Sequence, residues 1–177
     1  MPAYDIGPRI GIEGEKEFKN SIKAIDSEIR ALQNQLRTLS KEYDENDRSV
    51  EGVTKKQNAL NQAIETSRKR IDLLTSQYEK QVQELKRLED ALEQARKENG
   101  EGSTEAQKAE AAYARQAKTV NDLGARLERA KGQLITFENQ LQELGNTATR
   151  VGDQLQSAGD KIQGIGGKVS SLGNTLT

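Results

Sequence analysis

Hydrophobic residues recur along this chain at alternating spacings of four and three, from Phe18 to Leu176. With Ile22 at heptad position a and Ile25 at position d, one unshifted frame fits the whole stretch. Apolar residues occupy 21 of its 23 a positions and 18 of its 23 d positions. Such a seam is typical of helices that associate side by side as coiled coils. The pattern predicts an all-α fold of long coiled-coil helices.

The predicted coiled-coil interface consists of the large apolar residues of this seam. They are Phe18, Ile22, Ile25, Ile29, Leu32, Leu36, Leu39, Tyr43, Val53, Leu60, Ile64, Ile71, Leu74, Tyr78, Leu85, Leu88, Leu92, Leu123, Leu127, Leu134, Phe137, Leu141 and Leu144. Seven positions in the frame are not apolar, namely Gln57 and Asn99 at a, and Asn46, Ser67, Gln81, Gly102 and Gln116 at d.

Two polar segments interrupt the helical pattern. Residues 44–49 offer Ser49 as the N-cap of a second helix. Residues 99–104 contain two glycines, and Thr104 with Gln107 forms a capping box that opens a third helix. We therefore expect helices over about 15–43, 50–98 and 105–144.

The expected organisation has four parts. They are an extended, strand-like N-terminal arm (1–17), two coiled-coil helices with a turn near 44–49 (18–98), a third coiled-coil helix (105–144) and a glycine-punctuated amphipathic heptad tail (145–177). The arm is inferred from an Ile-x-Ile alternation among Gly and Pro. A frayed terminus explains the same residues equally well.

Glycine recurs every seven residues in the tail, each time directly after a d position. These residues are Gly145, Gly152, Gly159, Gly166 and Gly173. Each costs an isolated helix about 1 kcal/mol relative to Ala. Small residues beside a seam permit close approach of two backbones, so we assign them a close-packing role. A flexible amphipathic tail is the alternative.

Charges beside the seam test whether the helices run as one continuous parallel rod or fold back as a hairpin. In a parallel pair, the facing charges are alike, as at Glu84–Glu89 and Arg126–Lys131. Folding the second helix back on the first makes them opposite, at Glu42–Lys56, Glu28–Arg70 and Asp26–Arg68. An antiparallel hairpin or three-helix rod is therefore favoured, with the continuous parallel coiled coil as the alternative.

The pairing of the third helix stays open between two registers. The register with a symmetric loop brings like charges together, as at Glu89–Glu110. The register shifted by one heptad pairs Arg96 with Glu110 and Glu84 with Arg126, but it needs a lopsided loop.

Composition removes most chemistry from consideration. The chain has no His and no Cys, 31% charged residues, 33% hydrophobic residues and a net charge of −1. The usual general base, thiol nucleophiles and zinc, haem or iron–sulfur ligands are missing. A near-neutral chain has no general electrostatic attraction for nucleic acid or anionic lipid. We predict no enzymatic activity, no catalytic, metal or cofactor-binding residue, no specific nucleic-acid partner and no stable membrane span.

The N-terminal run RIGIEGEKEFKNSI (residues 9–22) resembles the start of phage tail tape-measure proteins, particularly those of phages and prophages of Gram-positive bacteria. The polar joint at 43–50 and the glycine run IQGIGGKVSSLG (residues 162–173) are similar to theirs. The resemblance covers essentially the whole chain. Members of that family are usually much longer, so the chain is expected to be an N-terminal portion or a truncated copy.

The resemblance implies a structural virion protein whose helical length sets the length of the tail tube during assembly. Its implied partners are further copies of itself, tail-tube proteins and tail assembly chaperones. Its implied location is the virion tail, after assembly in the host cytoplasm. Two alternatives remain open, a cellular coiled-coil scaffold or adaptor and a membrane-active amphipathic protein.

Overall fold

The structure, a computed structural model, describes residues 14–43 and 49–173, and side chains only as far as residue 146. It forms three helices, α1 (Glu15–Glu42), α2 (Val50–Asn99) and α3 (Thr104–Gly173). No strand occurs within these described ranges, and the prediction of an all-α fold is confirmed. Coiled-coil packing in the strict sense stays a prediction.

The structure describes where the predicted arm ends and much of the predicted tail. Residues 1–13 of the arm lie outside the described residues. Residues 15–17 form the first turn of α1, which agrees with the helix expected from about residue 15 and shortens the arm by these three residues. Glu15 and Glu17 favour this early start because acidic side chains stabilise the positive end of the helix dipole. At the other end, α3 continues beyond residue 144 to Gly173.

Serine side chains cap the N-termini of α2 and α3. The backbone N–H of Gly52 donates to Ser49 Oγ at 3.1 Å, which confirms Ser49 as the cap of α2. The capping residue of α3 is Ser103, whose Oγ accepts from the N–H of Ala106 at 3.1 Å. The predicted cap at Thr104 is wrong by one residue, because Ser103 already satisfies the first free N–H groups and leaves Thr104 as the first helical residue.

The C-terminus of α2 is closed by a glycine in the left-handed region. Gly100 has φ +89°, and its N–H donates to the carbonyl of Arg96 at 3.0 Å. Residues with a Cβ rarely adopt this conformation, whereas glycine adopts it freely. The sequence break at 99–104 therefore becomes a turn of only four residues between α2 and α3.

The chain divides into two compact units. Unit 1 comprises Met1–Ala31 and Ala63–Ile135, and unit 2 comprises Leu32–Gln62 and Thr136–Thr177. The core of unit 1 contains a cluster of Ile22, Leu74, Leu123, Leu127 and Ala130. Three helices contribute to it, which explains why an apolar stripe is needed on each of them.

A second cluster in unit 1 lies close to the turn between α2 and α3. It consists of Leu92, Ala95 and Ala109, with Tyr113 packed against it. The small residues in this cluster allow the two helices to approach closely beside their short connection.

In unit 2, the first turn of α2 packs under an aromatic ring from the end of α1. A Cβ built on Gly52 would lie 2.6 Å from Cδ1 and 2.7 Å from Cγ of Tyr43. Lys55 places its Nζ 5.3 Å from the centroid of the same ring, and its ammonium donates to the Tyr43 hydroxyl at 2.9 Å. Lys56 donates to the Tyr43 backbone carbonyl.

Candidate functional site

The candidate functional site is the set of faces through which the helices meet. Among the predicted interface residues, eleven are buried: Ile22, Ile29, Leu32, Leu39, Leu60, Ile64, Leu74, Leu92, Leu123, Leu127 and Phe137. The remaining members are partly buried: Phe18, Ile25, Leu36, Tyr43, Val53, Ile71, Tyr78, Leu85, Leu88, Leu134, Leu141 and Leu144. No predicted interface residue is fully exposed.

Of the five glycines predicted to pack closely, Gly145 is the one whose surroundings are described. Gly145 is exposed, and a Cβ built on it would meet no described atom within 4 Å. Close packing at Gly145 therefore stays a prediction. Gly152, Gly159, Gly166 and Gly173 lie beyond the residues whose side chains are described.

A partly buried arginine of α2 connects all three helices in unit 1. The Nε atom of Arg70 lies 2.9 Å from Oδ1 of Asp26 in α1, and its Nη1 donates to Oε1 of Gln133 in α3 at 3.0 Å. The two closest atoms of the Arg70–Asp26 pair are not aligned as a hydrogen bond, so the attraction between them is chiefly one of charge.

A second contact between α1 and α2 lies one turn away in the same unit. Thr66, which is 3% exposed, donates through Oγ1 to Oε1 of Glu28 at 3.1 Å. Together with Asp26–Arg70, this contact shows that α1 and α2 run antiparallel here, because the later α1 residue meets the earlier α2 residue.

The individual charge pairs predicted between α1 and α2 are wrong, although the direction is right. Asp26 pairs with Arg70 instead of Arg68, and Glu28 accepts from Thr66 instead of Arg70. Lys56 reaches the Tyr43 carbonyl instead of the Glu42 carboxylate. Charged residues beside the seam do not simply pair with the residue that faces them, because their long side chains also reach partners one turn away.

Two of the polar seam positions bind each other across unit 1. The side-chain amide of Gln116 donates to the backbone carbonyl of Gln81 at 2.9 Å and to its Oε1 at 2.7 Å. Gln81 is 5% exposed, so this contact satisfies an amide that is otherwise removed from water. In the heptad pattern both residues are gaps among the apolar positions.

The α2 and α3 helices also run antiparallel in unit 1. Arg70 meets Gln133, Gln81 meets Gln116, and Arg96 Nη2 lies 3.5 Å from Glu110 Oε2. The Arg96–Glu110 pair was expected from the shifted register, yet the four-residue turn belongs to the nearly symmetric one. The core clusters that bring Leu74 to Leu127 and Leu92 to Ala109 fit the register with the symmetric loop, within which Arg96 still reaches Glu110.

A second buried face on α2 was missed by the sequence analysis. Its members in unit 1 recur at the same alternating spacing as the seam, one stripe to the side. They are Ala63 (0% exposed), Thr66, Arg70, Leu73 and Gln77 (7% exposed). Their spacing of three and four was the available signal, but Thr66, Arg70 and Gln77 are polar and are not counted among hydrophobic residues.

Ser67 is a buried polar residue whose hydroxyl has no hydrogen-bond partner among the described residues. It occupies a d position and is 1% exposed. Hydroxyl groups in such surroundings usually find a partner, since an unmade hydrogen bond costs about 1–3 kcal/mol. Ser67 therefore marks a locally unfavourable point in the seam.

The resolved pKa shifts all arise from ion pairs and hydrogen bonds on exposed faces. Hydrogen bonding to Lys69 lowers the pKa of Glu65, and hydrogen bonding to Lys97 lowers that of Glu93. The pKa of Lys55 is raised above its ordinary range, first by its hydrogen bond to Glu51 and then by that to Tyr43. These shifts stabilise the ordinary charged forms and do not create a general acid or base near neutral pH.

The described ranges lack two features, a cluster of metal ligands and a membrane-spanning helix. They contain no group of three or more potential acidic, His or Cys metal ligands. None of their helices has a segment both long and apolar enough to cross a membrane.

No protein-family model, curated protein or solved structure matches this chain.

Proposed function

We propose that this chain is a structural segment of a phage tail tape-measure protein, whose helices contribute to the length of the tail tube during assembly. The observation that carries the proposal is the single heptad frame from Phe18 to Leu176, together with the tape-measure-like motif at residues 9–22. Each residue within a single helix advances that helix by about 1.5 Å, so residues added within α3 lengthen it in proportion to their number.

The charge of the chain suits this role. A tape-measure protein and the DNA occupy the tail lumen one after the other. A net charge of −1 gives the chain little attraction to the phosphates of DNA. Ion pairs such as Lys19–Glu15 and Lys97–Glu93 lie within single helices and neutralise charge locally. The proposed partners are further copies of the chain, tail-tube subunits and tail assembly chaperones, and the proposed location is the virion tail.

The test measures tail length by electron microscopy in the phage that encodes the chain. Duplication of residues 145–165 adds three heptads without shifting the frame, and a helical ruler then lengthens the tail by about 30 Å. Deletion of the same residues is the matched control and shortens the tail by the same amount. Unchanged tail length in both variants contradicts the proposal.

A cellular scaffold is the competing function because it requires the same interhelical contacts. It predicts a gene remote from tail-tube genes and no copurification of the chain with tail-tube protein. Both observations together favour the scaffold, whereas a tail-gene neighbourhood with copurification favours the tape-measure role.

A further inference from the structure

The turn between α2 and α3 interrupts the helix but not the heptad count. Ala95, Asn99, Gly102 and Ala106 keep the spacing of four, three and four across residues 100–103. A hairpin does not require this, because the loop separates the phases of its two helices. Only about one loop length in seven preserves the frame by chance.

The backbone of the turn is already helical at both of its ends. The N–H of Gly100 donates to the carbonyl of Arg96, and the N–H of Gln107 donates to the carbonyl of Ser103, each four residues back. Between them, the N–H of Ser103 donates to the carbonyl of Gly100 at 3.2 Å, and Ser103 Oγ caps Ala106. Conversion to a continuous helix exchanges these two contacts for regular helical bonds.

Gly100 is the residue that separates the two backbone states. Its φ of +89° closes the turn, whereas a helical Gly100 would continue α2 into α3. In the continuous form, Asn99 and Gly102 occupy successive positions of the heptad seam. The seams of α2 and α3 therefore lie on the same side of the helix through the former turn.

We infer that Gly100–Ser103 is a hinge through which two copies of the chain exchange α3, so that α3 of each copy packs on α2 of the other. The occupant of the opened seam is a second copy, because α3 of this chain presents the groups that pair with this face of α2 within unit 1. Gln81 receives the Gln116 amide, and Arg96 receives the Glu110 carboxylate, in either form.

The exchanged dimer and the unexchanged chain make these same contacts. Their free energies therefore differ only through the conformation of the hinge and the entropy lost when two chains associate. Domain swapping commonly proceeds in this way, through a short hinge that straightens. The unbroken heptad frame is then explained, since an exchanged pair needs one continuous seam across the hinge. This inference deepens the self-association included in the proposed function.

The first test is Gly100→Ala, which disfavours the closed turn and favours the helical hinge. We expect its dimer dissociation constant to fall by about tenfold or more relative to the unmodified chain. Light scattering coupled to size-exclusion chromatography measures this over a concentration series. Gly132→Ala is the matched control, because it makes the same chemical change inside α3, where a new Cβ meets no described atom within 4 Å. It should leave the dissociation constant unchanged.

The second test identifies which residues meet between copies. The chain has no native cysteine, so Arg96→Cys and Glu110→Cys can be placed in separate chains. After the two chains are mixed, a short thiol-reactive crosslinker joins residue 96 of one copy to residue 110 of the other only if α3 has exchanged. Mass spectrometry identifies that crosslink. Its yield should increase when Gly100→Ala is introduced into both chains.

Two outcomes overturn the inference. One is a Gly100→Ala chain that remains as monomeric as the unmodified chain and only unfolds at a lower temperature. The other is dimerisation without the 96–110 crosslink between copies. Neither outcome bears on tail length, so the hinge can fail while the proposed function stands.

Discussion

At the scale of single residues, the polar members of the helix interfaces determine which contacts form. Arg70 binds Asp26 and Gln133, whereas Ser67 is buried without a described partner. Because an unpaired buried group costs more than a made hydrogen bond returns, these two positions should respond to substitution in opposite directions.

Replacing Ser67 with Ala should raise the free energy of unfolding by about 1 kcal/mol, because the change removes a buried hydroxyl and improves helix propensity. Chemical denaturation followed by circular dichroism measures the difference. Ser27→Ala is the matched control, since Ser27 is exposed and its hydroxyl bonds to the Lys23 carbonyl. A loss of stability in Ser67→Ala would show that the hydroxyl has a partner.

Replacing Arg70 with Leu should lower the free energy of unfolding by about 2 kcal/mol, because the partly buried Asp26 carboxylate then loses its partner. Adding Asp26→Leu should restore much of the loss, since both members of the pair are then removed. Lys97→Leu provides the control, because it breaks an exposed ion pair within one helix. Equal effects of Arg70→Leu and Lys97→Leu would contradict this account.

At the scale of the helices, α2 has two buried faces in unit 1. One is the heptad seam with Leu74, and the other includes Ala63 and Gln77. A helix that contacts two others needs one buried face for each of them. The number of its hydrophobic residues is therefore smaller than the number of its buried residues. The junction of α1 and α2 in unit 2 adds a steric requirement at Gly52.

Gly52→Ala should destabilise the chain by about 1–2 kcal/mol, because its new methyl group overlaps the Tyr43 ring. In a Tyr43→Ala background the same change should stabilise by about 1 kcal/mol, since only the gain in helix propensity remains. A double-mutant cycle from denaturant unfolding measures the coupling. Additive effects would mean that the ring does not pack on Gly52 in solution.

At the scale of the whole molecule, stability depends on pH through ion pairs dispersed over exposed helix faces. The folded-state pKa values of Glu65 and Glu93 are lowered from 4.5, so their contribution is present above that value and is lost as pH falls through the folded-state pKa. The pKa of Lys69 is raised from 10.5, so its contribution is present below that value and is lost as pH rises above it.

Thermal unfolding midpoints should therefore decline modestly below pH 4.5 and above pH 10.5, with a broad plateau between them. Circular dichroism melts across this range measure the profile. Glu65→Gln combined with Glu93→Gln should reduce the acid-side decline, because neither side chain then gains a proton. An unchanged acid-side slope would assign that decline to other carboxylates.

The sequence by itself determined the helices and their principal faces, because apolar periodicity and capping residues act over a few turns of local chain. That is why the seam from Phe18 onward and the cap at Ser49 were predictable. Tertiary structure alone decided that Arg70 binds Asp26, that Gln81 binds Gln116, and that α2 buries a second stripe. Charges one turn apart are nearly equivalent as partners, and small or polar residues carry little hydrophobic signal, so only the placement of three helices together distinguishes them.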